Sequence, residues 1–257
     1  MPDLTVLVTD ASDNCSLGTT PVSQSTTAGS EITVSHNQTV TYTVTVTDGS
    51  GNSTNCMVDV TYSDDDDPTF TCPLAQSVNT NGNANCEANV PDLVALVTNA
   101  ADNCGLASTD PVVQSTASGT AITVTHGQMT TYTITVTDAV GNDSTCDVTV
   151  TYSDDDDPTF TCPSAQMVNT NGNANCEATV PDLVALVIDE ADNCGLAITN
   201  PVLQSTTAGT AITVTHDQMT TYTVTVTDAA GNDSTCDVIV TYSDDDDPTF
   251  TCPSAQM

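Results

Sequence analysis

The chain repeats itself. The string SDDDDPTFTCP begins at Ser63, Ser153 and Ser243, a period of 90 residues. Cys56, Cys146 and Cys236 keep that step, as do Cys86 with Cys176 and the histidines His36, His126 and His216. Cys15, Cys104 and Cys194 step by 89 and then 90, so the first copy is one residue shorter before Pro21. Such a period constrains the fold strongly, because each copy must close its own small core. In register, Met1 falls where Val90 and Val180 stand, and the residues after Ser243 open a fourth copy. The expected organisation is an incomplete domain over 1–63 lacking its opening strand, whole domains over 64–153 and 154–243, and a C-terminal aspartate run with an orphan opening strand over 244–257. The start, MPDLTVLVTD, lacks the basic and apolar regions of a signal peptide and reads as mature chain, a fragment or an internal cut.

Within a copy the period is two. In TYTITVTD, Tyr132, Ile134 and Val136 alternate with Thr133, Thr135 and Thr137, giving an apolar and a threonine face. After the turn AVGND the alternation resumes, with Cys146, Val148, Val150 and Tyr152 on one side and Asp147, Thr149 and Thr151 on the other. This is a hairpin. Shorter strands around Phe70, Val78, Val90 to Val97, Val112 and Ile122 to Thr125 are separated by turn-rich stretches such as NTNGNAN. About seven short strands per copy, without helical periodicity, predict an all-β chain of tandem immunoglobulin-like β-sandwiches forming an elongated rod. Tyr42, Tyr132 and Tyr222, opening the penultimate strand, suit a tyrosine corner.

The ordered signature PTFTCP, NCEA, ADNCG, TYTVTVTDAAGN and STCDVTVTY resembles the hyalin-repeat (HYR) module, over essentially the whole chain. The resemblance implies an immunoglobulin-like extracellular domain, used in tandem for adhesion and architecture and not for a reaction. The departure is the total absence of basic residues, which the family does not require.

That absence excludes whole classes of partner. Of 257 residues, 34 are acidic and none is lysine or arginine, a formal charge of −34. Nucleic acid is excluded as a partner, since phosphate affinity needs cations that release counterions. Anionic membrane surfaces are disfavoured likewise, and no apolar run reaches the ~20 residues of a membrane span.

Eleven cysteines in short β domains predict disulfides in an oxidising compartment, outside the cell or at its surface. No CxxC pair occurs and each copy has one histidine, so zinc is not indicated. Four cysteines per repeat allow three pairings, and the sequence alone does not choose among them. In a sandwich of the resembled kind the first and last strands run side by side near one pole. That implies Cys72–Cys146 and Cys162–Cys236, leaving Cys86–Cys104 and Cys176–Cys194.

The tetra-aspartate runs carry the chemistry: Asp64, Asp65, Asp66 and Asp67; Asp154, Asp155, Asp156 and Asp157; Asp244, Asp245, Asp246 and Asp247. Each joins one domain's last strand to the next domain's first. A run of like charge is usually a solvated linker, but this one is short and Pro68, Pro158 and Pro248 stiffen its exit. In an immunoglobulin-like sandwich, two loops face the pole where the chain enters. In the second copy these are ADNC, with Asp102 and Asn103, and the hairpin TDAVGND, with Asp138 and Asn142. In the third copy they carry Asp192, Asn193, Asp228 and Asn232. Such a density of hard oxygens without a basic residue calls for a hard cation, and Ca2+ suits it better than Mg2+ because it accepts six to eight oxygens in irregular geometry.

The remaining signals are weaker. The lone turn histidines have no nucleophile near them in sequence, and no paired carboxylates or phosphate loop suggest an enzyme. Asn14, Asn37, Asn52, Asn142 and Asn232 lie in glycosylation sequons, although a threonine-rich chain produces these by chance. The sequence therefore predicts a structural subunit of an extracellular filament or surface rod, stiffened by calcium at its junctions. The alternative is a calcium-dependent adhesin repeat binding a glycan or mineral surface. Head-to-tail assembly with itself is the expectation drawn from the broken register, the alternative being ends where a longer continuous array was cut. Phe250 and its neighbours would complete the first domain of the next copy, with Asp244 to Asp247 meeting Asp10, Asp13 and Asp48, and Cys252 meeting Cys56.

Overall fold

The computed structural model describes residues 1–170, 172 and 175–254. The chain is all-β, and among the described residues its helical structure is limited to three short 3-10 turns, one ahead of the first strand and two between strands. It forms two compact units, one of Met1–Pro73, Leu93–Ser115 and Thr133–Asp147, the other of Leu74–Asp92, Thr116–Tyr132 and the chain from Val148 onward. The division runs through the second repeat, where the sequence suggested breaks at 64, 154 and 244.

The third repeat, wholly in the second unit, shows the sandwich. Strands Gln218–Thr227 and Asp233–Ser243 form the expected hairpin, with Tyr222 opposite Val238 and Val224 opposite Cys236. Val202–Gln204 pairs antiparallel with the first of these, and Gln166–Asn169 pairs parallel with the second, completing four strands. Two ribbons supply the facing layer: Thr159–Thr161 with Ile188–Ala191, and Glu177–Thr179 with Ala211–Thr213. Tyr222, Val224, Val226, Val238, Val240 and Tyr242 pack with Val180, Leu183 and Val214 into one core, and Phe160 of the opening strand lies against it. Burying each such side chain contributes ~1.5–3 kcal/mol. The intervening threonines face outward, where Thr223 donates to Asp237 at 2.8 Å.

The tyrosines correct one expectation. A tyrosine corner would donate to backbone, whereas Tyr42, Tyr132 and Tyr222 share hydroxyl hydrogen bonds of 3.0, 2.8 and 2.8 Å with Tyr62, Tyr152 and Tyr242. The partners sit at the far end of the adjacent strand, so one buried hydroxyl satisfies the other. Burial, then the paired hydroxyl, pushes the Tyr152 and Tyr242 phenols up. For Tyr62 the bond to Tyr42 is the larger cause and the phenol lies at about 12.

In the first unit, the first repeat keeps three strands, Leu17–Gln24, Gln38–Asp48 and Ser53–Tyr62, over a smaller core around Leu4, Tyr42 and Val44. Val58 and Val60 are half-buried, whereas their counterparts Val238 and Val240 are fully buried. Leu4, Leu7, Val8, Val44, Cys56 and Val58 line an apolar groove of about 220 Å³. The unit also holds the opening ribbon of the second repeat, Thr69–Thr71 against Thr98–Ala101. At the other terminus, residues 244–254 form no strand and Phe250 is 84% exposed. An opening strand exists only when paired, and residues 249–251 have no ribbon partner among the described residues. Ala255, Gln256 and Met257, part of the expected orphan strand, lie outside the described residues.

Candidate metal centres at the repeat junctions

The hairpin turn Asp-x-x-Gly-Asn is locally determined. Oδ1 of Asp138 accepts the backbone N–H groups of Val140, Gly141 and Asn142 at 2.9, 2.6 and 2.8 Å, and Oδ2 accepts the Asn142 amide at 2.8 Å. Gly141, at φ 102°, takes the backbone conformation that closes this turn. Asp228 repeats the arrangement with Ala230, Gly231 and Asn232. Both carboxylates are 1% exposed. Burial raises the Asp138 carboxyl, but the hydrogen bonds from Asn142, Val140 and Gly141 together hold it below its ordinary value. The Asp-Asn-Cys loop is also self-capped, since Asp102 Oδ1 accepts the Cys104 and Gly105 N–H groups at 2.8 and 3.1 Å.

The first aspartate of each run turns inward onto these two loops. Oxygens of Asp64, Asp102 and Asp138 lie within 4.8 Å of one another, as do those of Asp154, Asp192 and Asp228. His36 and His126 fix the approach, their Nδ1 atoms accepting the N–H of Asp64 and Asp154 at 3.0 and 3.2 Å. Asn142 Nδ2 reaches the Asp66 carbonyl at 3.2 Å, and Asn232 reaches those of Asp154 and Asp156 at 3.3 and 3.2 Å. Burial, then the Asp154 and Asp228 charges, pushes the Asp192 carboxyl up. Buried oxygens remain without any hydrogen bond: both of Asp64, Oδ2 of Asp154 and Oδ1 of Asn193. Leaving such groups unpaired is costly. Hard oxygens, several of them anionic and desolvated, with no lysine or arginine in the chain, are a donor set suited to a hard cation.

The other residues singled out from the sequence lie as follows. Asp65, Asp67, Asp155 and Asp157 are exposed, because alternate residues of an extended run face away from the pole. Asp66 and Asp156 are engaged instead by the Asn103 and Asn193 amides, at 2.7 and 3.4 Å. Asp244, Asp245, Asp246 and Asp247 are exposed and belong to no triad among the described residues. Asp13 and Asp48 hold the self-capped geometry of Asp102 and Asp138, again without a third carboxylate. Asp10 stands in register with Asn99 and Asp189, which bond the opening strand through Thr71 and Thr161, so it is not a triad position. Asn142 and Asn232 spend their amide nitrogens inside the junction, and Asn52 donates its own to Asp48, so a glycan there would break these bonds. Asn14 and Asn37 are exposed.

A loop of the preceding repeat also joins the site. Thr80 Oγ1 donates to Asp154 Oδ1 at 3.2 Å, the Asn193 amide donates to Thr80 Oγ1 at 3.2 Å, and Gly82 N–H donates to Asp156 Oδ2. A Cβ on Gly82 would stand 3.5 Å from that carboxylate. This stitching redirects the disulfides. Cys72–Cys146 and Cys162–Cys236 form as expected, but Cys86 bonds Cys194 with Cα atoms 4.6 Å apart. Cys86–Cys104 and Cys176–Cys194 do not form, because the loop carrying Cys86 is tied to the next repeat; Cys104 and Cys176 are free thiols. Only the spacing NTNGNANC hinted at this loop, and it read as a turn. Three disulfides place the chain in an oxidising compartment, outside the cell or at its surface.

Among the described residues no helix is long and apolar enough to cross a membrane. No family model matches the chain, and no curated protein does. Among solved structures it is similar to mouse clustered PcdhgC3 EC1-3 at 13% identity and a TM-score of 0.35, covering 80% of this chain and 77% of that one. Protocadherin Gamma C5 EC1-3 gives 13% identity and 0.36 over 80% and 78%. The human Desmocollin-1 ectodomain gives 14% and 0.25 over 84% and 46%.

Proposed function

We propose that this chain is a structural subunit of an extracellular filament or surface rod, built from HYR-like sandwiches and braced by calcium at the repeat junctions. The observation that carries the reading is the pair of buried Asp64 oxygens that accept no hydrogen bond in a chain without lysine or arginine. Asp64, Asp102 and Asp138 would hold one ion, and Asp154, Asp192 and Asp228 with Asn193 Oδ1 another. The ion supplies positive charge that joins three segments which otherwise repel. His126, Asn232 and Thr80 do the rest without it, aiming Asp154 and tying its backbone to the following hairpin.

Phe160 covers the third core, while Phe250 is exposed and the first repeat presents a groove at the corresponding residues. In this reading residues 249–251 of one copy would complete the first repeat of the next by strand addition, bringing Asp244 toward Asp13 and Asp48. Electron microscopy of the full chain in millimolar calcium should show filaments. A chain lacking residues 248–257 should stay dispersed; filaments from that truncated chain would refute strand donation.

A further inference from the structure

The Cys86–Cys194 bond lies wholly within the second compact unit, against the second metal centre. Cys194 directly follows Asn193, and its N–H donates to Asp192 Oδ2 at 2.7 Å. Cys86 closes a loop that joins strand Gln76–Asn79 to strand Glu87–Asn89. The loop is two successive turns, with the Asn83 N–H donating to the Thr80 carbonyl at 3.2 Å and the Cys86 N–H to the Asn83 carbonyl at 3.0 Å. Asn81, Gly82, Asn83, Ala84 and Asn85 are exposed, whereas Cys86 is 8% exposed. The loop therefore brings little apolar packing to the site, and its bonds must hold it there.

Thr80 and Gly82 grip Asp154 and Asp156 of the run, and Thr170 and Gly172 grip Asp244 and Asp246 in the same way although Cys176 is unbonded. Holding the run is thus a property of the loop and needs no disulfide. Attachment to the following Asp-Asn-Cys loop is different. There the loop is fastened by the Asn193 amide on Thr80 Oγ1, at 3.2 Å, and by the Cys86–Cys194 bond. Beside these links Gly82, Ala84, Asp156, Asp157, Asp192 and Asn193 line a cleft of about 480 Å³, not a packed seam. Charge also opposes the contact, since burial and then the Asp154 and Asp228 carboxylates push the Asp192 carboxyl up.

We infer that the Cys86–Cys194 disulfide is a redox latch on the second calcium site, which binds tightly only while that bond is closed. The inference rests on the calcium reading above and adds the regulation of one of its sites. With the bond closed, Asp192 and Asn193 Oδ1 stay beside the Asp154 oxygen that accepts no hydrogen bond, which raises their effective concentration around a shared ion. With it open, three mutually repelling carboxylates must be gathered again on binding. The site matures where thiols are oxidised. Opening it consumes two molecules of a small thiol such as glutathione. One thiolate attacks the Cys194 sulfur, forms a mixed disulfide and expels the Cys86 thiolate. A second attacks the glutathione sulfur of that mixed disulfide and expels the Cys194 thiolate. Glutathione is oxidised to its disulfide, the protein disulfide takes up two electrons, and the two thiol protons pass to the cysteines.

Calcium titration of the full chain tests the latch. Oxidised wild type should bind at both triads. Cys86→Ser with Cys194→Ser should weaken one site roughly tenfold, within the usual span of coupling between sites, and leave the other, with the circular dichroism spectrum unchanged. Two unaltered sites would overturn the inference and leave the calcium reading standing. If the variant loses its fold or both sites, the unmodified chain decides. Coupling is reciprocal, so calcium should favour the closed bond by the same factor, a roughly tenfold rise in its equilibrium constant in glutathione buffers when calcium replaces chelator. Peptide mapping of Cys86–Cys194 reads it, and an equilibrium that calcium does not move would overturn the latch. Absence of calcium binding to the oxidised wild type would mark the failure of the calcium reading itself and remove the latch with it.

Discussion

Asp154 shows how one residue serves two opposed roles. It is 2% exposed with one oxygen unpaired, and it faces two more carboxylates within 4.8 Å. Without a cation it is a buried like charge that raises Asp192; with one it is a ligand. Asp154→Asn should therefore change sign with conditions. In chelator its melting temperature should equal or exceed that of wild type, because a repulsion is gone. In calcium it should fall below wild type, with calcium affinity reduced roughly tenfold, about 1.4 kcal/mol. Calorimetry with and without chelator decides it, and an equal loss in both conditions would make the carboxylate merely structural.

At the scale of the element, the long hairpin closes with a pair of tyrosines at one end and the aspartate clasp at the other. Tyr242 has its phenol raised in the folded state, first by burial and then by Tyr222. A group raised above its unfolded value contributes stability that is complete below that unfolded value, about 10 for tyrosine, and lost as pH rises through the folded one. The melting temperature should thus hold through neutral pH and fall above roughly pH 10. Tyr242→Phe should flatten that alkaline fall at a cost of about 1–3 kcal/mol at neutral pH, where the buried Tyr222 hydroxyl loses its partner. A melting series in pH on both proteins is the measurement, and an unchanged alkaline slope in the variant would contradict it.

For the whole molecule, the relevant quantity is a charge of −34 with no internal cation to oppose it. Exposed carboxylates such as Asp65 and Asp155 are screened by monovalent salt, with a Debye length of ≈ 8 Å at physiological strength. The buried triads are screened much less. Chelation should therefore lower the melting temperature in a way that added sodium chloride does not reverse and added calcium does. Full rescue by sodium chloride would reduce the triads to part of a general acidic surface. The sandwich of the third repeat should survive chelation, since its core around Tyr222, Val224 and Val240 and its Cys162–Cys236 bond are apart from the aspartates.

What the sequence determined alone is what neighbouring residues settle between themselves. Alternation of Tyr132, Ile134 and Val136 with threonines fixes a strand and its buried face, and the Asp-x-x-Gly-Asn turn clasps itself into a hairpin that aims Asp138. The alternation within each repeat set the fold class, while the resemblance to an immunoglobulin-like module implied the bond of the opening to the last strand and the meeting of three acidic segments. What only the tertiary structure decided is what depends on how one repeat's loop lies against the next. Of four identical aspartates, Asp154 turns inward because its N–H is held by His126, 28 residues earlier. Cys86 bonds Cys194 across 108 residues because Thr80 and Gly82 are fastened to the run between them. No local pattern encodes those contacts, since their free energy comes from docking preformed pieces whose relative placement appears only once both are folded.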